Sequence, residues 1–119
     1  MPISYNEVRQ FALALPGVSE RRAYRGPSLH VGRKFLGRLR EDGETFVLKI
    51  DPTDRTQLLE ISPDAFFLTE HYRPYPYVLV NLLAVKPATL KPLIERAWRM
   101  IVSKKAILAY DASARSSRA

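Results

Sequence analysis

FLGRLREDGETFVLKI, residues 35–50, sets two runs of alternating apolar and polar side chains on either side of Asp42-Gly43. Alternation at a period of two marks a strand with one buried face, and Asp-Gly between two such strands marks a hairpin, because both positions favour positive φ. Counting outward from the turn pairs Arg40 with Thr45, Leu39 with Phe46, Arg38 with Val47, Gly37 with Leu48 and Phe35 with Ile50. That register turns Phe35, Leu39, Phe46, Leu48 and Ile50 towards a core. It leaves Arg38, Arg40 and Lys49 on the opposite face.

Upstream of the hairpin, Leu29 and Val31 begin a short strand that turns through Gly32, Arg33 and Lys34, and the segment from Val18 to Pro27 reads as irregular. Residues 4–15 form a first helix: Ser4 and Glu7 have capping-box spacing, Val8, Phe11, Ala12 and Leu15 share a face, and Pro16-Gly17 ends it. Downstream, Asp51 caps a second helix with Pro52 at its first position and Leu58, Leu59 and Ile61 as its apolar contacts, and Ser62-Pro63-Asp64 closes it. A short strand over Phe66 to Thr69, a loop over Glu70 to Pro76 and a buried strand over Tyr77 to Val85 follow. Leu90, Leu93, Ile94, Ala97 and Ile101 then repeat at helical spacing, with Pro92 placed in the first turn, and Ser103 caps a last short helix through Tyr110. The expected fold is therefore α+β, a two-layer arrangement of one antiparallel β-sheet with helices packed on one face. Residues 1–110 make a single domain, and 111–119, small, polar and unpatterned, read as a flexible C-terminal tail.

A chain of 119 residues with 46% hydrophobic content can bury one core without staples. With no cysteine there is no disulfide, thiolate zinc site or cysteine nucleophile, and two isolated histidines do not make a metal site. No run of about eighteen apolar residues is present to span a membrane. The opening MPISYNEVRQ has neither the basic nor the apolar region of a secretory signal, so the expected compartment is the cytoplasm. No cofactor is indicated, and oligomeric state is not legible.

Charge is uneven. Residues 21–40, RRAYRGPSLHVGRKFLGRLR, hold seven basic side chains and no acid, whereas the other twelve basic residues are matched by twelve acids. The formal net charge of +7 thus belongs to one stretch.

Several motifs resemble the MmcQ/YjbR-like family. The resemblance runs through Val8 to Val18, Tyr24, Gly26-Pro27, Val31-Gly32, Lys34 and Leu39 to Gly43. Its most specific block is FFLTEHYRPYP, residues 66–76, followed by Val78-Leu79-Val80, Ala97-Trp98-Arg99 and Ala109-Tyr110-Asp111. Glu70 and Pro74 depart from the family's usual proline and glycine. The resemblance implies a CyaY-like two-layer α/β fold. It also implies DNA binding without a catalytic motif.

Two constellations are candidates for function. Arg21, Arg22, Arg25, Arg33, Lys34, Arg38, Arg40 and Lys49 could meet nucleic-acid phosphates, or could be a solvated face that guards exposed strands from pairing. Thr69, His71, Tyr72, Arg73 and Tyr75 could hold an anion or stack a base, although a packed, proline-stiffened connector is the commoner use of such a loop. The expected function is a non-enzymatic protein that contacts the phosphate backbone of nucleic acid, DNA first, through the basic sheet face and the arginine-rich loop. The alternative is a protein-interaction or small-anion-binding domain built on His71 to Tyr75.

Overall fold

The computed structural model describes residues 3–23 and 26–118, with the side chains of Ala23 and of 114–118 outside the description. Ten elements follow in order: α1 (Tyr5–Leu13), β1 (Val18–Ala23), β2 (Gly26–Val31), β3 (Lys34–Leu39), β4 (Thr45–Lys49), α2 (Pro52–Ile61), β5 (Phe66–Phe67), β6 (Tyr77–Asn81), α3 (Pro87–Ile101) and α4 (Lys104–Arg118). The strands form one six-stranded sheet in the order β1-β2-β3-β4-β6-β5, and every neighbouring pair is antiparallel. Helices cover one face only. The α+β fold is as the sequence implies.

Local chemistry explains the elements. Ser4 Oγ accepts from the Glu7 amide at the start of α1, and Gly17 takes φ +80° in the turn after it. Asp51 Oδ2 accepts from the amides of Thr53 and Asp54 at the start of α2. Of the apolar residues expected on α2, Leu58 and Leu59 pack against the core, but Ile61, in the last turn, is 76% exposed. Helix α3 starts at Pro87, earlier than the apolar repeat suggests, so Pro92 falls in its second turn. It buries Leu90, Ile94, Ala97, Trp98 and Ile101 against the sheet. Trp98 is fully buried, and its Nε1 donates to the Pro16 carbonyl at 2.8 Å, tying α3 to the turn after α1.

Further expectations need correction. Val18 to Ala23 is not irregular but an edge strand, paired with β2 from Val18↔Val31 to Ala23↔Gly26. Its sequence, VSERRA, carries one large apolar residue because an edge strand need bury little. The β3–β4 register is as counted, Gly37↔Leu48, Arg38↔Val47 and Leu39↔Phe46. Its turn differs: Gly43 alone has positive φ, its amide donates to the Arg40 carbonyl, and Asp42 grips Thr45 through both the amide and the hydroxyl. The expected strand ends shift as well: β5 stops at Phe67, and β6 gives way after Asn81 to a turn in which the Ala84 and Val85 amides donate to the Asn81 carbonyl. Last, α4 continues to Arg118 instead of ending at Tyr110. Residues 111–118 are mostly alanine, serine and arginine, of which alanine and arginine favour a helix. Asp111 adds an anchor, since its carboxylate accepts from Arg99 at 2.7 and 3.2 Å.

A bulge re-aims β3. Leu29 pairs with Gly37 and His30 with Phe35, so Leu36 is extra, and the register shifts there. A bulged residue breaks the alternation of faces. Leu36 joins the core, fully buried, while Phe35, expected to point inward, lies with His30 on the face away from the helices.

Candidate nucleic-acid interface

The register assigns each side chain to a face. Leu29, Gly37, Leu48 and Val78 stand in one cross-strand row on the helix side of the sheet, and Phe46, Val80 and Phe66 in another. The intervening residues therefore point the other way: Arg21 on β1, Ser28 and His30 on β2, Phe35 and Arg38 on β3, Val47 and Lys49 on β4, Tyr77 and Leu79 on β6. Arg40, just beyond β3, donates its amide to Thr45 and continues this face. No helix covers it.

The loop over residues 69–76 reaches across instead. Turns hold its shape, with the Tyr72 and Arg73 amides donating to Thr69 and the Tyr75 amide to Tyr72. Arg55 on α2 locks its far end by donating to the carbonyls of Tyr75 at 2.7 Å and Tyr77 at 3.2 Å. Tyr72 comes back over the sheet, where its hydroxyl accepts from Arg38 at 3.2 Å. Val47, opposite Arg38, and Leu79 are closed off from solvent although neither belongs to the helix-side core.

Sheet and loop together build a ribbon of rings. His30 meets Phe35 edge-on at 5.7 Å, Phe35 meets Tyr77 at 5.2 Å, and Tyr77 lies 6.4 Å from Tyr72 and 6.2 Å from Tyr75, the latter stacked. His71 closes the series at 4.8 Å from Tyr72 and 6.0 Å from Tyr75. His71 and Tyr75 are exposed, and the others are half-buried. Sequence patterning singled out the loop members but missed Phe35 and His30, whose facing depends on the bulge, and Arg55, which acts on backbone carbonyls.

The expected basic residues separate. Arg21, Arg38, Arg40 and Lys49 share the open face. Arg22 stands on the helix side of β1, 3.6 Å from Glu20, which also takes a bond from Arg9 at 2.9 Å and from the Tyr5 hydroxyl at 2.8 Å. Partial burial works to raise the Glu20 pKa, but the bonds from Arg9 and Tyr5 and the charges of Arg9 and Arg22 outweigh it and hold the carboxyl below its ordinary range. Arg33 sits in the β2–β3 turn and Lys34 opens β3 opposite Val31, both facing the junction of α3 and α4. Arg25 lies outside the described residues.

On the open face Arg21 donates to the Gly32 carbonyl at 2.7 Å. His30 Nε2 is 2.9 Å from Ser28 Oγ, while Nδ1 has no partner, alone among the buried side-chain nitrogens and oxygens described. Burial, with the Arg21 charge beside it, pushes the His30 pKa down, so the ring is neutral at neutral pH. Among the described residues no three His, Asp or Glu side chains gather as metal ligands would, and no helix is long and apolar enough to cross a membrane.

A family model described as YjbR matches residues 13–100. The chain belongs to the YjbR family. Its fold is that of a Deinococcus radiodurans crystal structure carrying the family-model domain DUF419, with a TM-score of 0.72 at 20% identity over 86% of this chain and 80% of that one. Uncharacterised proteins of Mycobacterium tuberculosis and Mycobacterium bovis are 36% identical over 56 residues, which is 47% of this YjbR chain. The match spans 43% of the length of each of those relatives.

Proposed function

We propose that this YjbR protein is a non-enzymatic, cytoplasmic module that binds nucleic acid, single-stranded DNA foremost, on the open face of its sheet. One observation carries the reading: a continuous ribbon of rings, Phe35, Tyr77, Tyr72, Tyr75 and His71, runs beside Arg38, Arg40 and Lys49 where no helix intervenes. Unpaired bases stack on aromatic faces whatever their sequence, and cations beside the rings follow the phosphates. A duplex hides its base faces, so the same surface would meet it through charge alone. The acids Glu41, Asp42 and Glu44 at the β3–β4 turn keep that tip away from phosphate.

Fluorescence polarisation with a labelled oligonucleotide tests this, in competition against the matching duplex. The single strand should compete better by at least about tenfold, one stacked base contributing about 1–3 kcal/mol. Absence of binding to either form at about 50 mM salt, where phosphate contacts are little weakened by counterions, overturns the proposal. The second reading, a partner or small anion held by the loop alone, draws on the exposure of His71 and Tyr75. It predicts that Arg40→Gln with Lys49→Gln leaves binding intact while Tyr75→Ala abolishes it.

A further inference from the structure

A groove lies on the other side of the molecule, where three connections meet. Pro16 and Gly17 after α1, Val31, Arg33 and Lys34 around the β2–β3 turn, and Ile101, Val102, Ser103 and Ala106 at the α3–α4 junction line an open groove of about 410 Å³. That volume is within the range of small-molecule sites. The walls are fixed: the Pro16 carbonyl is held by Trp98, Gly17 needs its positive φ, and Ser103 caps α4 by accepting from the Ala106 amide.

The lining has a definite polarity. Val31, Ile101, Val102 and Ala106 offer hydrocarbon, while Arg33 and Lys34 are the only charged residues of the lining. Neither makes an ion pair among the described residues, and both are exposed. Lys104 and Lys105, in the first turn of α4 between two lining residues, add positive charge nearby. An apolar trough ending in unpaired cations suits a molecule with an apolar body and one anionic end. A bare phosphate would leave the trough empty, and a neutral hydrocarbon would leave the cations unused.

We propose that this groove binds a medium-chain carboxylate, its hydrocarbon along Val31, Ile101, Val102 and Ala106 and its carboxylate against Arg33 and Lys34. The site is independent of the nucleic-acid reading, since it shares no residue with the open face. Amide chemical-shift mapping of the intact protein tests it, with decanoate, octanoate, decanol and acetate as probes, all below micelle-forming concentrations. Decanoate should give saturable shifts at residues 16–17, 31–34 and 101–106. Octanoate, two methylenes shorter, should bind at least about tenfold more weakly, each buried methylene being worth about fourfold in affinity. Decanol should lose about fivefold or more for want of the charge, and acetate should give no saturable shift. Arg33→Glu with Lys34→Glu, two exposed changes whose fold the same spectra verify, should reduce decanoate affinity to that of decanol or below. Shifts centred elsewhere, equal binding of decanol and decanoate, or an unchanged affinity in the double variant would overturn the assignment. A hydrophobic peptide ending in a free carboxylate, binding more tightly than decanoate, would also overturn it.

Discussion

At Gly37 the sheet has no room for a side chain. A methyl group there would sit 2.8 Å from the Val47 carbonyl oxygen and closer still to the ring of Phe46, which is itself fully buried. Neither neighbour has space to yield, so Gly37→Ala is an overpacking change. It should cost about 2–3 kcal/mol in urea unfolding, and a cost below about 0.5 kcal/mol would mean that the Phe46 ring moves freely. His30 makes a pH argument at the same scale. Its folded pKa lies below the unfolded value near about 6.5, so the unfolded chain binds its proton more readily. Stability should therefore decline as pH falls through about 6.5 and level off below the folded pKa. Other groups titrate over the same range, so the contrast with a variant isolates the effect: His30→Gln should gain on the wild type between about pH 7.5 and about pH 5.5. An unchanged difference would show that His30 titrates alike in both states.

Elements differ in how plainly they announce themselves. The β3–β4 pairing could be counted from its turn because every inward position of β4 is apolar and a slip by one residue would bury Lys49. The first strand could not be seen, since VSERRA has only Val18 to pack and its pairing comes from backbone groups that composition does not reveal. The bulge at Leu36 was equally hidden: Phe35 and Leu36 are both apolar, so either phase reads as plausible until Leu29 meets Gly37. The candidate surface suffered most from this, because the bulge decides that Phe35 joins Tyr77 and does not enter the core. The end of α4 is hidden from the sequence for another reason, in that a contact supporting it is tertiary. Arg99 and Asp111 form a two-pronged pair, and the Tyr110 hydroxyl donates to Glu95 at 2.8 Å. Truncation after Tyr110 removes the first and keeps the second. It should lower stability by about 1 kcal/mol, since both partners of the lost pair are about a third exposed and water screens them. Thermal unfolding would register this as a drop of a few degrees. A truncated chain as stable as the whole would show that α4 beyond Tyr110 contributes nothing to the fold.

Over the whole molecule, folding undoes the clustering that the sequence displays. Alternation along a strand sends adjacent residues to opposite faces, so Arg21 and Arg22 part, one to the open face and one to Glu20. Arg33 leaves with the β2–β3 turn, and Lys34 with the first position of β3. Of the described members of the charged stretch Arg21, Arg38 and Arg40 remain on the open face, and Lys49 joins them from outside it. The rings that complete this surface come from two distant segments, His30 and Phe35 in one and the stretch from His71 to Tyr77 in the other. Charges and rings then make separable contributions to the proposed binding. Each phosphate contact on a single strand adds about 0.7 to the size of the negative slope of log affinity against log salt, so four cations predict a slope of about −2.8. Arg40→Gln with Lys49→Gln should reduce the size of the slope by about 1.4, whereas Tyr75→Ala should weaken binding at every salt concentration and leave the slope as it was. Polarisation titrations over a salt series distinguish these patterns directly. If Tyr75→Ala changed the slope as the charge variant does, the ring would be acting only by positioning cations, and stacking would have no part in recognition. If the charge variant left the slope unaltered, phosphates would not lie on this face.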